Sequence, residues 1–323
     1  MKYTNIDFNG KTILITGGAG FVGSNLAFHI QNNYPDAKVV IFDAFVLGHF
    51  KNLIGFKGEV IGGDITDKEA IKRLWDFKFD YIFHQAAISD TTVMDQKKML
   101  EANTNAFKDF LDMAVEMKAS IVYASSAGTY GNSAAPNSVG SGEEPENVYG
   151  FSKLMMDNLG YEYMKKYPSM NIVGLRYFNV YGPREYYKGK TASMMLQLGL
   201  QLLRGESPKL FKWGGQKRDF VYIEDVVQAN IKAANAKKCG VYNVGAGEAR
   251  QFNEVFGLLT KNLGVEKTVE YIDNPWKFYQ NHTEADIASS REFLDYTPRY
   301  KIEEGIADYA PTIKAIFEKE FNN

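Results

Sequence analysis

A short apolar run, TILIT (12–16), breaks into GGAGFVG (17–23), after which the chain returns to helix-compatible residues. Three glycines at 17, 20 and 23 constrain the fold more than any other feature, because each has its own reading in a strand-to-helix turn. Gly17 permits a tight turn, Gly20 lets backbone approach a pyrophosphate, and Gly23 permits close packing of the helix. Phe21 and Val22 then bring backbone amides to the helix start, where the dipole favours phosphate. Asp43 ends the next apolar run, VVIFD (39–43), where a carboxylate accepts hydrogen bonds from a ribose diol. Together these residues predict a dinucleotide site; an ordinary turn and a strand-end cap are the plainer alternatives.

Further apolar runs follow at 59–64 (EVIGGD), 81–87 (YIFHQAA), 120–126 (SIVYASS) and 171–177 (NIVGLRY), with helical periodicity between them. Runs apolar on both faces that alternate with helices predict an α/β fold, a Rossmann-type doubly wound parallel sheet. After about residue 178 the pattern loosens into a smaller mixed α/β unit, and GVYNVG (240–245) is expected to return to the first sheet. The expected division is 1–178 with about 219–248 as the nucleotide-binding domain, and 179–218 with about 249–323 as the substrate domain. The chain of 323 residues is 45% hydrophobic, enough for a substantial core. A net charge of -2 gives no basic surface for nucleic acid or an anionic membrane, so small-molecule chemistry is expected. Cys239 is the single cysteine, which fits a reducing compartment. With neither a signal-like start nor a long apolar span, the expected location is the cytoplasm. Four scattered histidines make no metal site, and His84 reads as a core or strand-end residue.

Tyr149 and Lys153, in VYGFSK, are four apart and share a face if helical. An ammonium beside a tyrosine favours the phenolate, which can exchange a proton with an alcohol while hydride moves to nicotinamide. Ser126, after IVYAS, is placed to hold the same alcohol oxygen. Tyr-x-x-x-Lys alone is common on amphipathic helices; the glycine turn and the strand-end serine give it chemical meaning.

GGAGFVGSN, HQAA, SSAGTYG, YGFSK and LRYFNVYGPRE resemble the extended short-chain dehydrogenase/reductase superfamily of nucleotide-sugar epimerases and dehydratases across essentially the whole chain. The resemblance implies an enzyme holding NAD(P) and a nucleoside-diphosphate sugar, and relatives commonly form homo-oligomers. Dehydratases of this type carry an acidic pair just after the catalytic serine or threonine; here Ala127 and Gly128 stand there, which leaves epimerisation.

RYFNVYGPREYYKGKTAS, SPKLF, KRDFVYIEDV and FYQNHTEADI are similar to the ADP-L-glycero-D-manno-heptose 6-epimerases, which supply heptose for lipopolysaccharide. That likeness implies two proton-handling residues, Tyr149 and Lys188, on opposite sides of the epimerised carbon, and NADP as cofactor with NAD the alternative. Asp43 opposes a 2′-phosphate by charge, whereas His49 or Lys51 could compensate. Further implied cofactor contacts are Asp64, Gln85, Ala86, Ala87, Ser89, Asn103 and Lys153. The implied substrate contacts are Asn179, Val180, Ser193, Phe211, Arg218 and Tyr279. Arg218 suits a diphosphate because its fork binds two oxygens, a salt bridge to Asp219 or Glu224 being the plainer reading. Phe211 and Tyr279 could equally be packing, and Lys190 stands where the family typically has serine. Among rival functions, a UDP-hexose 4-epimerase would share the turn and Ser126, Tyr149 and Lys153 but has no use for Lys188. A dinucleotide-sensing module would keep the glycines and lose the tyrosine and lysine.

Overall fold

Alternating residues of the first strands bury on opposite sides of one sheet. Ile13 and Ile15, then Val39 and Ile41, enter one apolar layer, while Leu14, Val40 and Phe42 enter the other. A strand apolar on both faces needs helices on both faces, and the computed structural model, which describes residues 3, 6–274 and 280–321, has that arrangement.

The strands are β1 (Thr12–Thr16), β2 (Lys38–Asp43), β3 (Glu59–Gly62), β4 (Tyr81–His84), β5 (Ser120–Ser126), β6 (Ile172–Tyr177), β7 (Asn179–Tyr181), β8 (Lys209–Phe211), β9 (Lys217–Tyr222), β10 (Gly240–Val244), β11 (Ala249–Gln251) and β12 (Glu270–Ile272). Between and after them lie α1 (Phe21–Asn33), α2 (Lys68–Lys72), α3 (Gln96–Leu100), α4 (Ala106–Met117), α5 (Val148–Lys166), α6 (Met194–Leu203), α7 (Ile223–Ala233), α8 (Phe252–Leu263), α9 (Ala288–Leu294) and α10 (Ile302–Phe321). No helix among the described residues is long and apolar enough to cross a membrane.

Seven parallel strands form the main sheet in the order β10-β6-β5-β4-β1-β2-β3. This is a Rossmann-type sheet whose order reverses between β1 and β4, and ligands of such sheets bind outside the strand C-termini at that switch. Helices α1 and α7 cover one face and α4 and α5 the other, with Leu26, Ile30 and Val227 in the first layer and Phe107, Phe110 and Met156 in the second. Two sequence expectations are trimmed. The run at 81–87 is a strand only to His84, because Gln85–Ala87 leave the sheet as a loop. The run at 59–64 ends at Gly62 on the sheet edge, where β3 is mostly exposed.

The last strand to join this sheet in chain order, β10, pairs with β6 along Gly240–Val244. Beyond the main sheet, β9 joins β7 in parallel and β11 antiparallel, and β8 pairs with β12. Helices α6, α8 and α10 pack together beside these strands. Asp219 ties β9 down: its buried carboxylate accepts from the amides of Ala246 (2.6 Å), Gly247 (2.9 Å) and Ala285 (3.0 Å).

Candidate active site

The glycine turn has the geometry its spacing predicts. Gly17 has φ +67, and a Cβ there would lie 2.7 Å from the Ala86 amide nitrogen. At Gly23 a Cβ would lie 2.2 Å from the Gly17 carbonyl oxygen, so a side chain would push α1 off the turn. A Cβ on Gly20 would meet only that same carbonyl, at 3.1 Å, which leaves its outer side open for a ligand. Gly20 caps α1 without a side-chain bond to the first-turn amides, so an anion can take them, and Phe21 and Val22 begin that turn. These features fit a dinucleotide pyrophosphate.

Asp43 ends β2 beside the turn, 7% exposed, with one oxygen accepting from the Ala19 amide and the other from the Phe45 amide, both at 2.8 Å. Burial pushes its carboxyl above the usual range. The loop folds back over it, since a Cβ on Gly48 would lie 2.7 Å from the carboxylate. Asp64 is exposed and its Oδ1 accepts from the Thr66 amide and hydroxyl. Gln85, Ala86 and Ala87 are half-buried at the end of β4, and Ser89 is exposed. The Gln85 amide donates to Asn230 and accepts from Tyr177, both at 2.9 Å. Asn103, wholly buried in a π-helical turn, accepts from the Ile88 amide (2.8 Å) and donates to the Ser152 hydroxyl (3.0 Å), so it braces the loop after β4. His84 is a buried neutral strand-end residue: Nδ1 lies 3.0 Å from the Thr16 hydroxyl, and burial lowers its pKa to about 3.

Ser126, Tyr149 and Lys153 come together at the C-terminal ends of β5 and β6. Helix α5 reaches the turn after β5 because Gly150 is bare; a Cβ there would lie 2.3 Å from the Gly128 carbonyl. Asn147 caps the helix by accepting from the Gly150 amide (2.8 Å). The Tyr149 hydroxyl hydrogen-bonds Ser126, and Lys153 Nζ lies 6.0 Å from the tyrosine ring centroid while donating to the Ala124 carbonyl at 2.8 Å. Burial raises the Tyr149 pKa and the Ser126 bond only offsets part of it, while burial lowers Lys153 to about 8. In the chain alone burial disfavours the charged form of both groups, with Ser126 opposing it at Tyr149 and Asp157 opposing it at Lys153.

Lys188 lies on the loop between β7 and α6, half-buried, with Nζ 5.5 Å from the ring centroid of Phe21 at the start of α1. Burial lowers its pKa. This loop is pinned to the one after β2: Tyr187 stacks on His49 (4.0 Å, 11°), Lys51 Nζ lies 5.7 Å from the Tyr187 centroid, and Arg184 donates to the Asn52 carbonyl (2.6 Å). Lys190 pairs with Asp90 at 3.3 Å.

Of the implied substrate contacts, Asn179 is exposed on β7 opposite Phe220, and Val180 is half-buried opposite Val221. Ser193 caps α6, and its hydroxyl donates to Glu185 at 2.7 Å. Phe211 is half-buried at the end of β8. Arg218 is buried on β9, donates to the Lys217 carbonyl (2.9 Å) and lies 6.0 Å from the Phe252 centroid. Tyr279 lies outside the described residues. Sequence reasoning missed Gly150, Asp157, Arg176 and Glu185. Asp157, four residues beyond Lys153, shares its helical face, and that spacing was the available signal.

A model of the NAD dependent epimerase/dehydratase family matches residues 13–245. The Helicobacter pylori ADP-L-glycero-D-manno-heptose-6-epimerase structure is 55% identical, with 98% of this chain and 100% of that one covered at a TM-score of 0.92. The Thermotoga maritima UDP-glucose 4-epimerase structure is 28% identical, covering 95% and 100% at 0.87. The Methanobrevibacter ruminantium UDP-N-acetylglucosamine 4-epimerase structure is 27% identical, covering 95% and 99% at 0.87. The family model runs from β1 through β10, the whole of the sheet whose strand ends carry Ser126, Tyr149 and Lys153, and the chain belongs to the NAD dependent epimerase/dehydratase family.

Proposed function

We propose that the enzyme inverts C6 of the heptose in an ADP-glycero-manno-heptose, as a step of heptose supply for lipopolysaccharide. The observation that carries this reading is the position of Lys188, half-buried with its Nζ 5.5 Å from the Phe21 ring at the start of α1, which supports it as a second proton-handling group in addition to Tyr149. A nicotinamide dinucleotide held at the glycine turn by Gly17, Gly20 and Gly23 would supply the hydride acceptor. Ser126 holds the C6 oxygen, and Tyr149 takes its proton from one epimer. Lys188 serves the other epimer, whose oxygen points away from Tyr149 after rotation about C5–C6. Its depressed pKa suits the task, since a lysine titrating nearer neutrality both gives and takes a proton. With Ala127 and Gly128 in the turn after Ser126, dehydration lacks its acid and base. Arg218, Asn179, Val180, Ser193, Phe211 and Tyr279 are proposed for the nucleoside diphosphate and sugar.

The test is incubation with ADP-heptose in deuterated solvent, resolving the C6 epimers by NMR. Interconversion without deuterium at C6 is expected, because the hydride stays internal. Turnover of UDP-hexoses and none of ADP-heptose would overturn the assignment.

NADP is the proposed cofactor form. Asp43 is committed to two amides, whose donated hydrogen bonds offset part of its charge toward a 2′-phosphate, and His49 and Lys51 follow in the same loop. Calorimetry is expected to show NADP binding at least about tenfold tighter than NAD, with the gap narrowing in a His49→Ala/Lys51→Ala variant. A preference for NAD, or an unchanged gap, would contradict this.

A further inference from the structure

Glu185 has no part in the chemistry described so far, yet it is fully buried three residues before Lys188. Its Oε1 accepts from the Gly182 amide (3.1 Å) and the Ser193 hydroxyl (2.7 Å), and its Oε2 from the Ser193 amide (2.6 Å). Burial raises the carboxyl pKa, and these three donors together with the Lys188 charge favour the ionised form against it. The bonds draw together Gly182 and Ser193, the two ends of the loop whose middle carries Lys188. Inside the loop the Lys188 amide donates to the Glu185 carbonyl (2.9 Å), and the Thr191 hydroxyl donates to the Lys188 carbonyl (3.0 Å). A buried carboxylate is a costly way to close a loop that a neutral side chain could close, so its charge calls for a second explanation.

We propose that Glu185 is a positioning residue for Lys188: one buried carboxylate closes the loop and supplies the negative charge that keeps the lysine able to hold its proton. This deepens the reading of Lys188 as the second proton-handling group and rests on it. The charge of Glu185 favours the ammonium of Lys188 against the burial that lowers its pKa. From α10, Tyr309 senses the same charge, its hydroxyl being pushed well above the ordinary tyrosine value by burial and by Glu185. The other charged or titratable groups of the packed loops are engaged elsewhere. Arg184 is on the Asn52 carbonyl, His49 and Lys51 are against the Tyr187 ring, and Lys190 is on Asp90; from α1 the neutral Phe21 ring faces the lysine.

The experiment measures the titration midpoint of Lys188 in the NADP-loaded enzyme by pH-dependent acylation with peptide mass spectrometry, alongside the pH profile of kcat. In Glu185→Gln, which keeps the volume and an acceptor but removes the charge, the midpoint is expected to fall by about one pH unit. In Glu185→Asp, which keeps the charge, it should stay close to wild type, with kcat lowered by displacement of the loop. An unmoved midpoint in Glu185→Gln, or equal falls in both variants, would overturn the proposal. Should Glu185→Gln not fold, Ser193→Ala carries the test: it removes one donor and keeps the charge, so kcat should fall about threefold with the midpoint held, and full turnover would overturn the loop-closing role. Acylation reports the coupling whether or not Lys188 moves a proton; failure of the proton-handling reading appears separately, as full epimerisation by Lys188→Met.

Discussion

Tyr149→Phe and Lys188→Met are each expected to lower interconversion of the C6 epimers by about a thousandfold while leaving cofactor binding in place. That factor corresponds to about 4 kcal/mol of lost transition-state stabilisation. Neither side chain closes the dinucleotide turn, whose shape is set by Gly17, Gly20 and Gly23, so the loss should fall on kcat. The two variants should fail in complementary ways. With Tyr149 gone, Lys188 still accepts the proton of one epimer, and that epimer alone should reduce the bound nicotinamide in a single turnover. With Lys188 gone, only the opposite epimer should do so. Near-ultraviolet absorbance of the reduced cofactor, followed with each pure epimer, separates the cases. Full interconversion by either variant, or reduction by the same epimer in both, would remove the two-base account.

What the sequence revealed was local in the chain. The glycine spacing, Asp43 at a strand end, Ser126 at another and the four-residue step from Tyr149 to Lys153 depend on one turn or one helix, whose geometry follows from neighbouring residues. The burial of Tyr149 was not local. Its magnitude depends on how completely β5, α5 and the turn after Ser126 exclude water, and that is a property of packing. The same holds for Asn103 and Ser193: a likeness to known enzymes marks them, but their partners, Ile88, Ser152 and Glu185, are known only once distant segments meet. The stack of His49 on Tyr187 joins residues far apart in the chain and has no sequence signature. Gly150 lay inside the YGFSK motif, yet its reason, the carbonyl of Gly128 across the turn, is a contact between two elements.

Asp157 shows how much such an unannounced contact can be worth. It is wholly buried four residues after Lys153, where its Oδ2 accepts from Arg176 Nε (2.8 Å) and from the Ser125 hydroxyl (2.9 Å). Arg176 is buried as completely, with Nη1 2.5 Å from Glu143 and its guanidinium 4.9 Å from the Tyr130 centroid. Asp157→Ala would leave that guanidinium desolvated with Glu143 as its remaining ion-pair partner, a loss of about 3–5 kcal/mol. In a chain of this size the expected fall in Tm is on the order of 10 °C. Replacing both partners, Asp157→Asn with Arg176→Met, should recover much of it, because no charge is then stranded. The catalytic consequence runs through Lys153, since Asp157 is the charge that opposes the burial holding that lysine at about 8. Without it the ammonium loses its proton at lower pH, so the alkaline limb of the kcat profile should move toward acid in Asp157→Asn and in the double variant alike. A restored Tm with the limb still displaced would separate the two roles of the carboxylate; a limb that returns with the Tm would reduce Asp157 to a structural partner of Arg176.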